Sequence, residues 1–129
     1  MKPIKVMIVE DEVITAKAMH MGLKAMGYDT CSMVMTGPDA IEKSRLEKPD
    51  VILMDINLKG DMDGIEAAEK ISGRFAIPII FLTGYPVDEM EEGKARSKKY
   101  RYLVKPVEPD DIKSMIDLIF DQNVYAEGL

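Results

Sequence analysis

The sequence has few of the features that would tie a chain to a disulfide framework, a membrane or a nucleic acid. Its single cysteine, Cys31, excludes an internal disulfide and is typical of a reducing cytosol. No apolar run approaches the ~20 residues of a membrane span, and the first strand begins too early to leave room for a signal peptide. The formal net charge of −6 disfavours non-specific binding to nucleic acid or anionic lipid, since both need a basic surface. We therefore expect a cytoplasmic protein that binds neither one directly.

What the sequence does contain is five short apolar runs, separated by segments with helical character. The runs predict strands, and the first of them is apolar enough to be covered on both faces. The predicted strands are Ile4–Val9, Tyr28–Met35, Val51–Met54, Ile77–Leu82 and Tyr100–Val104. The predicted helices are Glu12–Met26, a second from Thr36 to about Glu47, a third opening at Asp63, a fourth from Pro86 to about Lys98, and Pro109–Gln122.

The length of 129 residues suits one domain. We assign this domain to residues 1–122 and expect residues 123–129 to be a C-terminal tail or a truncated linker. Strand and helix alternate five times, which predicts an α/β fold with a parallel sheet and helices on both of its faces. Ligands of such sheets bind beyond the carboxyl ends of the strands, so the residues at those ends are the functional candidates.

Three acids, one hydroxyl and one amine stand at these predicted strand ends. Each has an ordinary structural explanation, because an acid after a strand is often a helix N-cap and a threonine before glycine often belongs to a turn. Their occurrence at equivalent places in one fold is harder to explain by chance. The residues are Glu10 and Asp11 after the first strand, Asp55 after the third, Thr83 after the fourth and Lys105 after the fifth.

The residue types at these ends indicate phosphoryl chemistry with a divalent cation. Carboxylates without a neighbouring histidine or cysteine suit Mg²⁺, which also offsets their mutual repulsion. A carboxylate is itself a nucleophile toward phosphorus, and Asp55 on the central strand is the best placed. The incoming phosphoryl group carries about −1.5 to −2 charges, which the cation, the Lys105 ammonium and the Thr83 hydroxyl would balance.

Five segments together resemble the receiver domain of two-component response regulators over nearly the whole chain. They are IVEDE (8–12), VILMDINL (51–58), MDGIEAA (62–68), PIIFLTG (78–84) and YLVKP (102–106). The resemblance implies a flavodoxin-like, doubly wound, five-stranded parallel sheet of order 2-1-3-4-5 with five helices. It also implies a phosphoprotein that works in phosphorelay signal transduction.

The resemblance assigns a role to each candidate residue. Asp55 would accept a phosphoryl group, and Thr83 and Lys105 would contact it. Thr83 and Tyr102 would form the switch, and the bond before Pro106 would be cis. The implied Mg²⁺ ligands are Glu10, Asp11, Asp55 and the backbone carbonyl of Asn57.

The resemblance also implies the partners. A histidine kinase or a phosphotransfer protein would donate the phosphoryl group, and an output partner that the sequence does not identify would read the result. A homodimer would use the face formed by the fourth predicted helix, the fifth strand and the last helix. Such a protein catalyses only its own phosphorylation and dephosphorylation, so we do not expect an enzyme in the usual sense.

One segment departs from the family pattern. The loop after the phosphorylated aspartate commonly reads Met-Pro-x-Met-Asp-Gly, whereas NLKGDMDG (57–64) has one extra residue and no proline. The path of this loop is therefore not predicted.

Three other functions fit parts of the pattern. A phosphohydrolase of similar architecture would need Asp-x-Asp after the first strand, where Glu10 and Glu12 stand instead. A flavodoxin-like nucleotide carrier would need an uncharged phosphate loop there. A pseudo-receiver, folded alike but never phosphorylated and acting as a protein-interaction module, is the main alternative.

Overall fold

The computed structural model describes residues 2–85 and 100–128, with side chains as far as residue 121. Within these residues the strands are β1 (Lys5–Val9), β2 (Asp29–Thr30), β3 (Val51–Asp55), β4 (Ile79–Thr83) and β5 (Tyr100–Val104). The helices are α1 (Val13–Ala25), α2 (Gly37–Glu47), α3 (Gly64–Ser72) and α4 (Pro109–Gly128).

The five strands form one parallel sheet in the order β2-β1-β3-β4-β5, which confirms the predicted topology. All five residues of β3 and all five of β4 are buried. This explains why their sequences are almost continuously apolar, since helices cover both faces of the sheet and neither face meets water.

Two separate cores lie on the two faces of the sheet. Successive strand residues point to opposite faces, so Ile8 and Leu53 belong to one core while Met7 and Ile52 belong to the other. Helices α1 and α4 cover the first face with Met19, Leu23, Ile112 and Ile116. Helices α2 and α3 cover the second with Ala40, Ala67, Ala68 and Ile71. None of the helices in the described part of the chain is both long and apolar enough to cross a membrane.

Two predicted elements have different bounds in the structure, and a third falls outside the described residues. Strand β2 has only two residues, although Val34 still forms a parallel bridge with Val9. Helix α4 continues to Gly128, across most of the segment that we expected to be a tail, because no residue before that glycine breaks a helix. The described residues contain four helices, and the fourth predicted helix (residues 86–98) falls outside them.

Helix α3 begins in close contact with the backbone of the central strand. The Asp63 carboxylate caps the helix by accepting a hydrogen bond from the Glu66 N–H at 2.9 Å. A Cβ atom on Gly64 would lie 2.1 Å from the carbonyl oxygen of Asp55, far inside van der Waals contact. Only glycine therefore allows α3 to pack this closely against the end of β3.

We expect Gly64→Ala to lower the free energy of unfolding by about 2 kcal/mol or more, because a backbone neighbour cannot move aside as a side chain can. Urea unfolding would measure this loss. Gly73→Ala is the matched control, since its Cβ would lie 3.5 Å from the nearest atom and its φ is −73°. The control should be neutral or slightly stabilising. Equal effects of the two substitutions would show that the close packing at Gly64 is unimportant.

Candidate functional site

Three carboxylates meet at the carboxyl end of the sheet. Strands β1 and β3 are neighbours with Val9 opposite Met54, so Glu10, one residue further along, comes next to Asp55. One oxygen from each of Glu10, Asp11 and Asp55 lies within 4.8 Å of the others. Glu10 is fully buried and Asp55 is 4% exposed, so water screens their repulsion poorly.

Lys105 supplies the positive charge in this cluster. It follows β5, and its Nζ atom lies 3.3 Å from Glu10 Oε1 and 3.3 Å from Asp55 Oδ1. Its backbone N–H donates to the carbonyl oxygen of Thr83 at 2.7 Å, which fixes the point where the side chain leaves the sheet. The Lys105–Pro106 peptide bond is cis, as the resemblance implied.

The surroundings of this cluster shift the pKa values of Glu10 and Lys105. Burial raises the pKa of Glu10, and the nearby Asp55 carboxylate raises it further, while the Glu12 N–H that donates to Oε2 at 3.2 Å and the Lys105 ammonium act in the opposite direction. Burial also tends to lower the pKa of Lys105, but its two carboxylate partners outweigh that effect and the pKa is raised. Lys105 is therefore firmly charged, and it is the group that offsets the buried acids.

Backbone amides also orient the other two carboxylates, as the Glu12 N–H does for Glu10. The Asn57 N–H donates to Asp55 Oδ1 at 3.1 Å, and the Lys59 N–H donates to Asp11 Oδ2 at 2.8 Å. The resemblance implies a role for the carbonyl group of Asn57, whereas the sequence predicts no role for Lys59. The only signal for Lys59 in the sequence was the unusual length of its loop and the absence of proline there.

Thr83 and Tyr102 lie on the neighbouring strands β4 and β5. Asp55 is opposite Leu82 in the sheet, so Thr83 stands one residue beyond it, with 2% of its surface exposed. The Tyr85 N–H donates to Thr83 Oγ1 at 3.1 Å. The Tyr102 ring stacks on Phe81, with 5.6 Å between the ring centroids, and its hydroxyl is buried.

The donor set fits a hard divalent cation. The three converging groups are carboxylates, and no histidine or cysteine belongs to the group, which is the oxygen chemistry that Mg²⁺ prefers. The net charge of the cluster is −2 when all three acids are ionised beside Lys105, so a divalent ion would neutralise it. Such an ion would remove the repulsion that the fold otherwise has to tolerate.

Comparisons with known proteins agree with this geometry. A family model described as the response regulator receiver domain matches residues 6–117. The transcriptional regulatory protein PdtaR of Mycobacterium tuberculosis is 32% identical over 116 residues, which cover 90% of this chain and 56% of that protein. The solution structure of the PhyR response regulator REC domain from Erythrobacter litoralis has a TM-score of 0.79 at 30% identity, covering 92% of this chain and 90% of that one.

A further solved structure is similar over the full chain. The anti-anti-sigma factor PhyR from Bartonella quintana has a TM-score of 0.78 at 28% identity, covering 100% of this chain and 53% of that one. The chain spans about half the length of the curated relatives it matches, 56% of one and 45% of another.

We expect Asp55→Asn to raise the free energy of unfolding of the metal-free protein by about 1 kcal/mol, because it removes one of the mutually repelling carboxylates. Functional sites often contain such destabilising groups. The buried Asp55 charge faces two carboxylates and one ammonium, and an asparagine Oδ1 would still accept the Asn57 N–H and face Lys105. Urea unfolding in the presence of a chelator measures the change.

Asp61→Asn is the control for this prediction, because it removes an exposed acid from the same loop and should change stability little. A loss of stability in Asp55→Asn would mean that the ion pair with Lys105 outweighs the repulsion between the acids.

Proposed function

The chain belongs to the response regulator receiver domain family, and from this premise we propose that it is a phosphorylation-dependent signalling switch whose phosphoryl acceptor is Asp55. The observation that carries the proposal is the cluster of Glu10, Asp11 and Asp55 with Lys105 at 3.3 Å from two of them. This arrangement combines a nucleophilic carboxylate, an oxygen donor set for a cation and a fixed ammonium.

The reaction is phosphoryl transfer from a phosphohistidine. A carboxylate oxygen of Asp55 attacks phosphorus, the phosphorus–nitrogen bond breaks, and the electron pair returns to the imidazole nitrogen, which then takes a proton. The Asn57 N–H and the Lys105 ammonium both contact Asp55 Oδ1 and restrain the carboxylate, which leaves Oδ2 as the oxygen that would attack phosphorus. Lys105 stays charged beside Asp55 and balances the added negative charge.

We propose that Mg²⁺ is held by the side chains of Glu10, Asp11 and Asp55 and by the backbone carbonyl of Asn57. When bound, Mg²⁺ supplies charge neutralisation for the acids and for the phosphoryl oxygens. The buried position of Glu10 and its hydrogen bond from the Glu12 N–H keep this side chain in place without the ion.

The response to phosphorylation passes through Thr83 and Tyr102. Leu82 lies opposite Asp55 in the sheet, and Thr83 is the next residue of β4. The Thr83 hydroxyl therefore stands at the end of the neighbouring strand, where it could donate a hydrogen bond to a phosphoryl group on Asp55. Thr83 Oγ1 accepts a hydrogen bond from the Tyr85 N–H at 3.1 Å, and the same hydroxyl can still donate its own proton to a phosphoryl oxygen. Tyr102 packs on Phe81 of the same strand, so a change at the end of β4 would alter its surroundings. The result is a shift between two populations.

We propose a histidine kinase or a phosphotransfer protein as the phosphoryl donor and the cytoplasm as the place of exchange. An output partner, or a second copy of the chain, would bind the face that contains β5 and α4. In this role the protein would catalyse only its own phosphorylation and dephosphorylation, and so would not be an enzyme in the usual sense.

We expect wild-type protein incubated with Mg²⁺ and acetyl phosphate to gain one phosphoryl group, because Asp55 is the carboxylate beside both the cation ligands and Lys105. Intact-mass spectrometry measures the adduct, which should be absent without Mg²⁺ and absent in Asp55→Asn. Asp61→Asn is the control and should be phosphorylated like the wild type. An adduct on Asp55→Asn with none on the wild type would overturn the assignment.

A second candidate function is a protein-interaction role, for which the similarity to a protein described as an anti-anti-sigma factor is the supporting observation. The chain would then be a pseudo-receiver that binds a protein partner without being phosphorylated. The mass experiment separates the two functions, because a pseudo-receiver would give no Mg²⁺-dependent adduct on the wild type.

We expect Thr83→Ala to accept the phosphoryl group but to lose the response of Tyr102, since the hydroxyl that would bind the phosphoryl oxygens is gone. Nuclear magnetic resonance of the tyrosine rings, with Mg²⁺ and beryllofluoride as a phosphoryl mimic, measures that response. Ser114→Ala removes an exposed hydroxyl from α4 and serves as the control. A Tyr102 shift of wild-type size in Thr83→Ala would refute the coupling.

A further inference from the structure

The loop between β3 and α3 contacts one of the proposed cation ligands directly. The Lys59 N–H donates to Asp11 Oδ2 at 2.8 Å, across 48 residues of sequence. This contact is compatible with a departure noted in the sequence, because the loop lacks the proline that is common in the family, and proline has no N–H to donate.

The loop is built to hold this N–H in place. Leu58, the residue before Lys59, is 6% exposed and belongs to the core that also contains the buried residues of α2 and α3. Met62 closes the other end, because its side chain fills the space that a Cβ atom on Gly37 would occupy. Gly60 lies between them at φ +103°, a conformation that side chains other than glycine rarely adopt.

Asp11 needs such a restraint more than its neighbours do. Glu10 and Asp55 are buried and held by surrounding groups, whereas Asp11 is half-exposed at the start of α1. Repulsion from the two buried carboxylates favours rotamers that turn the Asp11 side chain away into water. A hydrogen bond from a backbone amide to the carboxylate opposes that rotation.

We propose that Lys59 is a positioning residue whose backbone N–H holds the Asp11 carboxylate in place for the divalent cation. This inference rests on the proposed function, because it presupposes that the acidic cluster binds Mg²⁺. Pre-organising a ligand lowers the ordering cost of binding, so the long loop should strengthen cation affinity without contacting the cation itself. The Lys59 side chain, which is exposed, is not needed for this effect.

The first test is spectroscopic and uses the unaltered loop. In the metal-free protein, the amide proton of Lys59 should resonate downfield because it donates to a carboxylate. Asp11→Ala should move that resonance upfield, whereas Glu12→Ala, which removes an adjacent exposed acid, should leave it in place. No movement in Asp11→Ala would overturn the proposal, whatever the other variants do.

The second test measures Mg²⁺ affinity by isothermal titration calorimetry at constant ionic strength. Lys59→Pro removes the N–H and should weaken binding by roughly 3- to 10-fold, the range for losing one partly solvated hydrogen bond to a charged group. Lys59→Ala keeps the N–H and should bind within about 2-fold of the wild type. Urea unfolding of both variants shows whether Lys59→Pro still folds, and the resonance test decides the question if it does not.

The outcomes separate this inference from the proposed function. If the wild type binds Mg²⁺ and Lys59→Pro binds it equally well, the positioning role fails and the proposed function stands. If Lys59→Ala weakens binding as much as Lys59→Pro, the side chain rather than the amide is responsible, and the inference also fails. If the wild type does not bind Mg²⁺, both are wrong.

Discussion

Two buried carboxylates, Glu10 and Asp55, lie side by side at one edge of the sheet, and Lys105 is the ammonium that makes this arrangement tolerable. Removing either acid from water costs free energy, and their proximity adds repulsion that burial leaves poorly screened. The 3.3 Å contacts from Lys105 offset part of this cost, and the backbone amides at Asp55 and Glu10 offset more. The remaining negative charge is what would give the site its affinity for a divalent cation and its reactivity toward phosphorus.

The buried central strands hold the carboxylates together in spite of their mutual repulsion. Strands β3 and β4 are buried along their whole length, so the backbone that carries Asp55 and Thr83 cannot easily relax. Gly64 adds a second restraint, because it lets α3 press directly on the Asp55 carbonyl. The packing of the two apolar cores therefore stabilises the fold enough to offset the unfavourable repulsion among the carboxylates at the end of the sheet.

The same strands connect the site with β5, which belongs to the face that we propose binds partners. Asp55, Thr83 and Lys105 stand at the ends of β3, β4 and β5, which are consecutive in the sheet. Tyr102 lies two residues along β5 from the end and stacks on Phe81 of β4. A group added at Asp55 thus needs to disturb only one neighbouring strand to reach an aromatic ring that is half-buried beside the core.

The sequence by itself determined the strand-and-helix alternation and the residues at the strand ends, and its resemblance to receiver domains implied the sheet order. The alternation and the strand ends follow from local apolar periodicity and from motifs of near neighbours, so the positions of Asp55, Thr83 and Lys105 at strand ends were predicted without coordinates. The sequence misplaced the extent of β2 and the end of α4, where edge pairing and the lack of a helix breaker decided the outcome. Only the tertiary structure decided how the β3–α3 loop runs and that the Lys59 amide donates to Asp11, because a contact between residues 48 apart depends on how both cores pack, and the length of the loop does not identify its partner.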